Sequence, residues 1–329
     1  MSNNKNTSRL WKFFRGVFGS ILILALALFI PWTSGNLSSR PNPATSYEES
    51  LQRIEAFESA EGVDFNPQCH TRFMTHGQKV ENVIVLIHGY TNCPQQFAEL
   101  GTQLYDLGHN VLIMPLPHHG LADRVTPDLA NLTAEELAEY GDRVVDIAQG
   151  LGDHVKVAGF SGGGVTTAWL AQHRSDIDLA VIVSPGFGFS AVPTALTAPA
   201  MNFYLIRPNS FVWWDPDLKD KDGVKHAYAH YSTRALAQIL RLSFSVQADA
   251  RRTAPAAKEV LYITNANDPD INLTLAYQVL KDWQSHGIGN FRTYEFGVEN
   301  KLPHDFIDRA QPDQQVDFVN PILIDLLTK

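Results

Sequence analysis

Lys156-Val157-Ala158-Gly159-Phe160-Ser161-Gly162-Gly163-Gly164 is the stretch whose reading decides the fold. Its first half is a short apolar run and predicts a strand; Val165-Thr166-Thr167-Ala168-Trp169-Leu170, just beyond it, predicts the start of a helix. Between them Gly159, Ser161 and Gly163 have the G-x-S-x-G spacing of a nucleophile elbow, a sharp strand-to-helix turn that lifts a serine hydroxyl clear of a sheet. The glycines follow from the chemistry. Such a turn holds the serine in a strained backbone conformation, and side chains two residues before and after it would collide.

Outward from this stretch, strand and helix signals alternate. Val80–Ile87 reads as a strand, Pro94–Leu107 as a helix and Asn110–Pro115 as the next strand. Thr133-Ala134-Glu135-Glu136 is a capping box opening a helix that runs towards Gly150. After the elbow come the strand Leu179–Ser184, the strand Glu259–Thr264, the helix Leu273–Ser285, the strand Phe291–Phe296 and a last helix near Gln314–Leu327. Several strands are almost wholly apolar, which predicts an α/β fold with a mostly parallel central sheet covered by helices on both faces. Between about residues 186 and 257 the alternation breaks. That stretch holds Phe187, Phe189, Phe203, Tyr204, Phe211, Trp213, Trp214, Tyr228 and Tyr231, with a helix over Ser232–Gln247, and reads as a cap insertion over a pocket. A surface decoration with its own small core is the alternative.

The chain has 329 residues, enough for a sizeable core, with 44% hydrophobic and 19% charged residues. A net charge of -9 and the lack of a long basic stripe beyond residue 15 argue against a nucleic-acid partner. Residues 1–15 form a basic flank carrying Lys5, Arg9, Lys12 and Arg15, and an apolar segment over residues 16–32 follows. This order predicts a membrane signal anchor with its N-terminus in the cytoplasm, or the apolar core of a cleaved signal peptide with Thr33-Ser34-Gly35 as the cleavage site. Either reading puts everything after residue 35 outside the cytoplasm. Residues 33–46 are rich in Ser, Asn and Pro and read as an exposed linker; Tyr47–Ala60 predicts a short amphipathic helix opening the main domain, residues 47–329. The two cysteines, Cys69 and Cys93, are candidates for one disulfide in an oxidising compartment, with two buried free thiols as the alternative.

A serine becomes a nucleophile when a base takes its proton and a carboxylate orients that base. In a parallel sheet such groups sit at the carboxyl ends of strands. Asp268 follows the strand ending at Thr264, and His304 follows the strand ending at Phe296, so the chain order is Ser161, Asp268, His304. Asp270 is the rival acid, although it is better placed to cap the helix opening at Asn272. The developing oxyanion needs two backbone N–H donors. Gly162, next after the serine, is one candidate, and Tyr90 in His88-Gly89-Tyr90-Thr91 is the other.

With these pieces in place the sequence resembles the α/β-hydrolase superfamily, nearest the carboxylesterase and monoacylglycerol-lipase-like branch (the serine aminopeptidase group of domains). The resemblance covers roughly residues 80–329 and rests on His88-Gly89, Pro117-His118-His119-Gly120, Gly159-x-Ser161-x-Gly163, Asp268 and His304. It implies a serine hydrolase acting on carboxylic esters, without metal or organic cofactor; the apolar or lipid-derived acyl group is expected from tethering beside a bilayer and from the aromatics of the cap. It also implies that His119-Gly120 lines the floor of the acyl pocket, with His88 and Gly89 as further pocket candidates. The strings around Tyr90-Thr91-Asn92-Cys93 and Leu121-Ala122-Asp123-Arg124 look like a bacterial, membrane-tethered subgroup. Gly162 departs from the pattern, standing where a larger residue is common. Thioesters, amides and peptides are the rival substrates for the same three side chains, and a non-catalytic binding module is the rival from another class.

Other signals lead nowhere further. Asp220-Lys221-Asp222-Gly223 lacks the first and last carboxylates of a calcium loop. His226 and His230 lie at i and i+4 without the Glu of H-E-x-x-H and read as solvated cap histidines. His118 is expected to shape its loop, and Trp213-Trp214 either packs inside the cap or dips into a membrane surface.

Overall fold

The structure, a computed structural model, describes residues 4–33, 37–59, 62, 64–217, 223–287 and 290–329. In chain order its helices and strands are α1 (Asn4–Ala27), α2 (Tyr47–Glu58), β1 (Arg72–Met74), β2 (Val80–Ile87), α3 (Ala98–Asp106), β3 (Asn110–Ile113) and α4 (Ala134–Ala148). These are followed by β4 (Gly152–Phe160), α5 (Gly162–His173), β5 (Leu179–Val183), α6 (Thr197–Ile206), β6 (Phe211–Trp213), β7 (His230–Ser232) and α7 (Thr233–Ala250). Last come β8 (Val260–Asn265), α8 (Leu273–Gln284), β9 (Phe291–Phe296) and α9 (Val316–Thr328). The stretch from Pro94 to Phe97, expected as the first turn of a helix, is a separate 3-10 turn ahead of α3.

Seven strands make one sheet in the order β1-β3-β2-β4-β5-β8-β9. Only β1, which the sequence did not reveal, runs antiparallel to its neighbour. The apolar runs are explained by burial on both faces. In β2, Val83, Val85 and Ile87 join one layer while Ile84 and Leu86 join the other, and all five are 0% exposed. The first layer is filled from α4, α5, α7 and α8, the second from α3 and α9. Register aligns the carboxyl ends of the central strands: Ile87 faces Gly159 and Phe160 faces Val183. Loops leaving β2, β4, β8 and β9 therefore gather at one end of the sheet.

Three expectations are corrected. First, the segment read as an exposed linker is exposed at residues 38 and 40–43 but is tied down as a strap over residues 37–44. Leu37 and Ala44 are buried, and the Leu37 carbonyl accepts from the Trp169 indole at 2.8 Å. Asp142 and Asp146, one turn apart on α4, hold the strap through Ser39 Oγ (2.5 Å) and the Arg40 (2.6 Å) and Asn42 (2.9 Å) amides. The same two carboxylates meet the guanidinium of Arg174, 0% exposed, at 3.0 and 2.8 Å. Second, the last helix of the insertion does not stand apart from the sheet. Helix α7 belongs to the main core, where Ala235, Ile239, Leu242, Val246 and Ala250 pack with the sheet layer. Its other face, with Ala237, Leu240 and Phe244, packs against Ala198 and Met201 of α6 in a smaller cluster of its own. Third, His226 and His230 are buried, at 5% and 6% exposure, because His226 bonds Asp308 and His230 packs between the rings of Phe211 and Trp213.

Asp220, Lys221 and Asp222, Ser34 and Gly35, and Ala60 lie outside the described residues. Among the described residues no helix is long and apolar enough to cross a membrane. Helix α1 exposes Trp11, Phe13, Phe14 and Phe18.

Candidate active site

Ser161 is the first residue past β4 and takes φ 55° and ψ -112°, a left-handed-side conformation that costs a non-glycine residue about 1–3 kcal/mol. The flanking glycines are compulsory here. A Cβ on Gly159 would stand 2.2 Å from the Gly163 carbonyl and from Thr167 Oγ1; one on Gly163 would stand 2.2 Å from the Ile87 carbonyl. The turn is held by the Ser161 amide donating to the Val183 carbonyl at 3.0 Å and by its own carbonyl accepting from Gly186 and Val165, both at 3.1 Å.

His304 lies between Ser161 and Asp268. Its Nε2 is 2.9 Å from Ser161 Oγ, and its Nδ1 is 3.0 and 2.8 Å from the two oxygens of Asp268. Asp268 has a fully buried side chain, and its Oδ1 also accepts from the amides of Asp270 (3.0 Å) and Ile271 (3.1 Å). Burial works to lower the pKa of His304, but the charge and hydrogen bonds of Asp268 outweigh it and hold the imidazole above the ordinary histidine value. The rival acid, Asp270, is exposed and contributes its backbone amide to Asp268 rather than its carboxylate to His304. It does not cap α8 either, since Asn272 does so by accepting from the Leu275 amide.

One residue that the sequence reading missed joins the two loops. Asn265, fully buried at the end of β8, donates its side-chain amide to the carbonyls of Leu302 (3.1 Å) and Pro303 (3.2 Å), and accepts from the Asn267 amide at 3.0 Å. A polar residue closing an apolar strand just before a candidate acid was the available signal.

Tyr90 and Gly162 come together. A Cβ on Gly162 would lie 3.3 Å from the Tyr90 amide nitrogen, so the two backbones are in contact beside Ser161. As the first residue of α5, Gly162 has an N–H with no carbonyl a turn earlier to bond. The same close approach explains why glycine stands where a larger residue is common: any side chain would press on Tyr90. Gly89 is also beside the serine, since its added Cβ would stand 3.5 Å from Ser161 Cβ.

His88 and Gly120 are corrected as pocket candidates. His88 is 0% exposed; its Nδ1 donates to the Gly89 carbonyl at 2.9 Å and its Nε2 accepts from the Leu116 amide at 2.9 Å. Burial, then the neighbouring His119, hold its pKa well below the ordinary value, so it is a neutral strut between two loops. Gly120 has φ 75° and its added Cβ would meet Cys69 Cβ at 2.9 Å. It makes room for the Cys69–Cys93 disulfide, whose Cα atoms are 5.4 Å apart. His119 is 1% exposed in an aromatic box with His88, Tyr90 and Tyr228, its Nδ1 on the Pro117 carbonyl at 2.8 Å; burial pushes its pKa down to about 4. His118 shapes its loop, with Nδ1 2.8 Å from Asp128 and Nε2 3.2 Å from Glu136. Trp213 packs edge-on against His230, and the half-exposed Trp214 donates its indole N–H to Thr91 Oγ1 at 3.0 Å. No group of three metal-ligating side chains occurs among the described residues.

Comparison with known proteins bears on both fold and chemistry. A profile of the alpha/beta hydrolase family matches residues 84–314. The thermostable monoacylglycerol lipase of Bacillus sp. (strain H-257) is 26% identical over 176 residues, 51% of this chain and 64% of that protein; the match thus spans under two thirds of that relative's length. The crystal structure of Paleococcus ferrophilus monoacylglycerol lipase superposes with a TM-score of 0.59 at 17% identity, covering 78% of this chain and 97% of that one. A soluble variant of the Saccharomyces cerevisiae monoglyceride lipase gives 0.57 at 12% identity, over 78% of this chain and 91% of that one. These structures share the fold.

Proposed function

This chain belongs to the alpha/beta hydrolase family, and we propose that within it the protein is a serine esterase cleaving carboxylic esters with an apolar or lipid-derived acyl group. The observation that carries this reading is the position of His304, hydrogen-bonded to Ser161 Oγ through one ring nitrogen and to Asp268 through the other. In the first step Ser161 Oγ attacks the ester carbonyl while His304 Nε2 takes its proton. Asp268 fixes the tautomer that leaves Nε2 free to accept and stabilises the imidazolium that forms. The carbonyl oxygen, becoming an anion, takes hydrogen bonds from the backbone N–H groups of Tyr90 and Gly162. Collapse of the tetrahedral adduct expels the alcohol, which takes its proton from His304. A water activated by the same histidine then hydrolyses the acyl-enzyme.

The lipid-derived acyl group is supported by the monoacylglycerol lipases among the relatives and by the aromatic content of the cap. Membrane attachment through the N-terminal segment, with the catalytic domain outside the cytoplasm, is part of the same proposal. It is supported by the basic flank ahead of an apolar run, and by a clamp on its far end. Asn202, buried in α6, accepts from the Trp32 amide at 3.2 Å and donates to the carbonyls of Leu28 (2.8 Å) and Ile30 (2.7 Å). That clamp sets the segment against the cap helix, whose Phe203 and Ile206 are exposed.

The test is turnover of p-nitrophenyl esters and 1-monoacylglycerols of increasing chain length, beside matched thioesters and anilides. The reading expects esters to lead and kcat/KM to rise with chain length. Faster turnover of anilides or thioesters would replace the esterase with an amidase or thioesterase.

A further inference from the structure

Behind Tyr90 lies a buried polar cluster that the proposed mechanism does not use. Gln96 Oε1 accepts from the Gly89 amide at 2.7 Å, and Gln96 Nε2 donates to Asp305 Oδ2 at 2.9 Å. Asn92 Nδ2 donates to the same Asp305 oxygen (3.1 Å) and to Asp308 Oδ2 (3.0 Å), while Gln311 Nε2 adds a third amide to Asp305 at 3.2 Å. His226 Nε2 reaches Asp308 Oδ2 at 2.8 Å. Three segments therefore meet: residues 88–96 carrying Tyr90, residues 304–311 carrying His304, and the stretch of the insertion carrying His226.

We infer that Gln96 and Asp305 are positioning residues that hold the Tyr90 N–H in register with His304. The inference rests on the esterase reading of the site. Its logic is the polarity of the glutamine amide. An amide has one oxygen and one NH2, and each end of Gln96 is spoken for. Asp305, an acceptor facing three NH2 groups, fixes the NH2 end, which leaves the oxygen to face Gly89 N–H. That bond pins the residue just before Tyr90. Asp305 is the residue just after His304, so a two-bond bridge through Gln96 ties the segment of the proposed oxyanion donor to that of the base, beside the direct Asn92–Asp305 bond.

A carboxylate is the better group for this role than an amide because it offers only acceptors. Burial, then the nearby Asp308 charge, push the Asp305 carboxyl above the ordinary carboxylate value, and the amides of Gln96 and Asn92 pull it back. The groups facing it are Asp308 and His304 among the titratable ones, with His226 beyond Asp308, and the amides of Asn92, Gln96 and Gln311. Asp305 Oδ1 is buried with no hydrogen-bond partner among the described residues.

The experiment compares wild type, Gln96→Met, Asp305→Leu and Asp305→Asn on a p-nitrophenyl ester, with backbone amide exchange over residues 88–93 measured on the same proteins. Gln96→Met keeps size and removes both bonds. A displacement of about 1 Å in a reacting constellation costs roughly 10²-fold. The expected result is a 10- to 100-fold fall in kcat with KM within twofold, together with faster exchange at Gly89 and Tyr90. Asp305→Leu should match it, and Asp305→Asn, which keeps one acceptor oxygen, should recover most of the loss. If Asp305→Leu fails to fold, Gln96→Met and Asp305→Asn decide alone. A Gln96→Met enzyme with kcat within twofold of wild type overturns the inference even if it exchanges faster or melts earlier, and so does a loss confined to KM. Wild type without ester turnover would instead remove the esterase reading; exchange at Gly89 and Tyr90 unchanged by Gln96→Met would then still overturn the bridge.

Discussion

Tyr90 and Ser232 hydrogen-bond in both directions: the tyrosine hydroxyl donates to the Ser232 carbonyl at 2.8 Å and accepts from the Ser232 amide at 3.0 Å. Ser232 is the N-cap of α7, so the residue proposed as an oxyanion donor is also the tie between its loop and the helix beneath the cap. Removing the hydroxyl leaves a buried N–H and C=O unsatisfied, which costs about 1–3 kcal/mol. Tyr90→Phe is expected to lose that much in denaturant unfolding while its backbone N–H stays available. Unchanged stability would mean that water replaces the hydroxyl.

The pH profile follows from His304. A protonated imidazole cannot take the serine proton, so kcat/KM should be lost as pH falls through the free-enzyme pKa of His304. Asp268 holds that pKa above the ordinary 6.5, which places the midpoint of the ascending limb above 6.5. Asp268→Asn removes the charge and should move the midpoint down while cutting the rate. Stopped assays from pH 5 to 9 would show it; a wild-type midpoint below 6 contradicts the assignment.

Arg174 is the keystone of the strap. Its guanidinium, 0% exposed, meets Asp142, Asp146 and Asp176 at 3.0, 2.8 and 2.7 Å. Truncating one partner of a buried ion pair costs about 3–5 kcal/mol because the remaining charges stay desolvated. Arg174→Ala should therefore lose that much stability by urea unfolding, and the strap over residues 37–44 should become protease-sensitive first. A loss under 1 kcal/mol would show that the carboxylates find water instead.

The Cys69–Cys93 bond closes a loop with a sequence separation of 24, for which the loss of unfolded-chain entropy corresponds to about 3 kcal/mol. The double variant Cys69→Ala/Cys93→Ala should be less stable by about 2–4 kcal/mol in the same unfolding assay. Equal stability of the two proteins would assign the pair a packing role only.

The parallel sheet was legible because its central strands, β2, β5 and β8, carry apolar residues at both parities, as burial on two faces requires. That Ser161, Asp268 and His304 would meet was legible because the proposed chemistry fixes their types and topology fixes their order. The amide bridges were not. Asn265, Gln96 and Arg174 act through partners 37, 209 and 32 residues away, and no local periodicity encodes such a pairing. The strap was misread for a related reason: Ser, Asn and Pro are common in linkers, yet here the segment's amides and hydroxyl serve two helix carboxylates. His226 and His230 were misread as solvated because spacing on a chain says nothing about a buried Asp308 or a flanking pair of rings.

The central claim is that Ser161, activated by His304, is the nucleophile for ester cleavage. The most direct measurement is the steady-state hydrolysis of a medium-chain p-nitrophenyl ester by wild type and by Ser161→Ala, purified in parallel. The account predicts wild-type turnover that falls by roughly 10³-fold or more in the variant, with unfolding midpoints alike. Equal rates from the two proteins would contradict it.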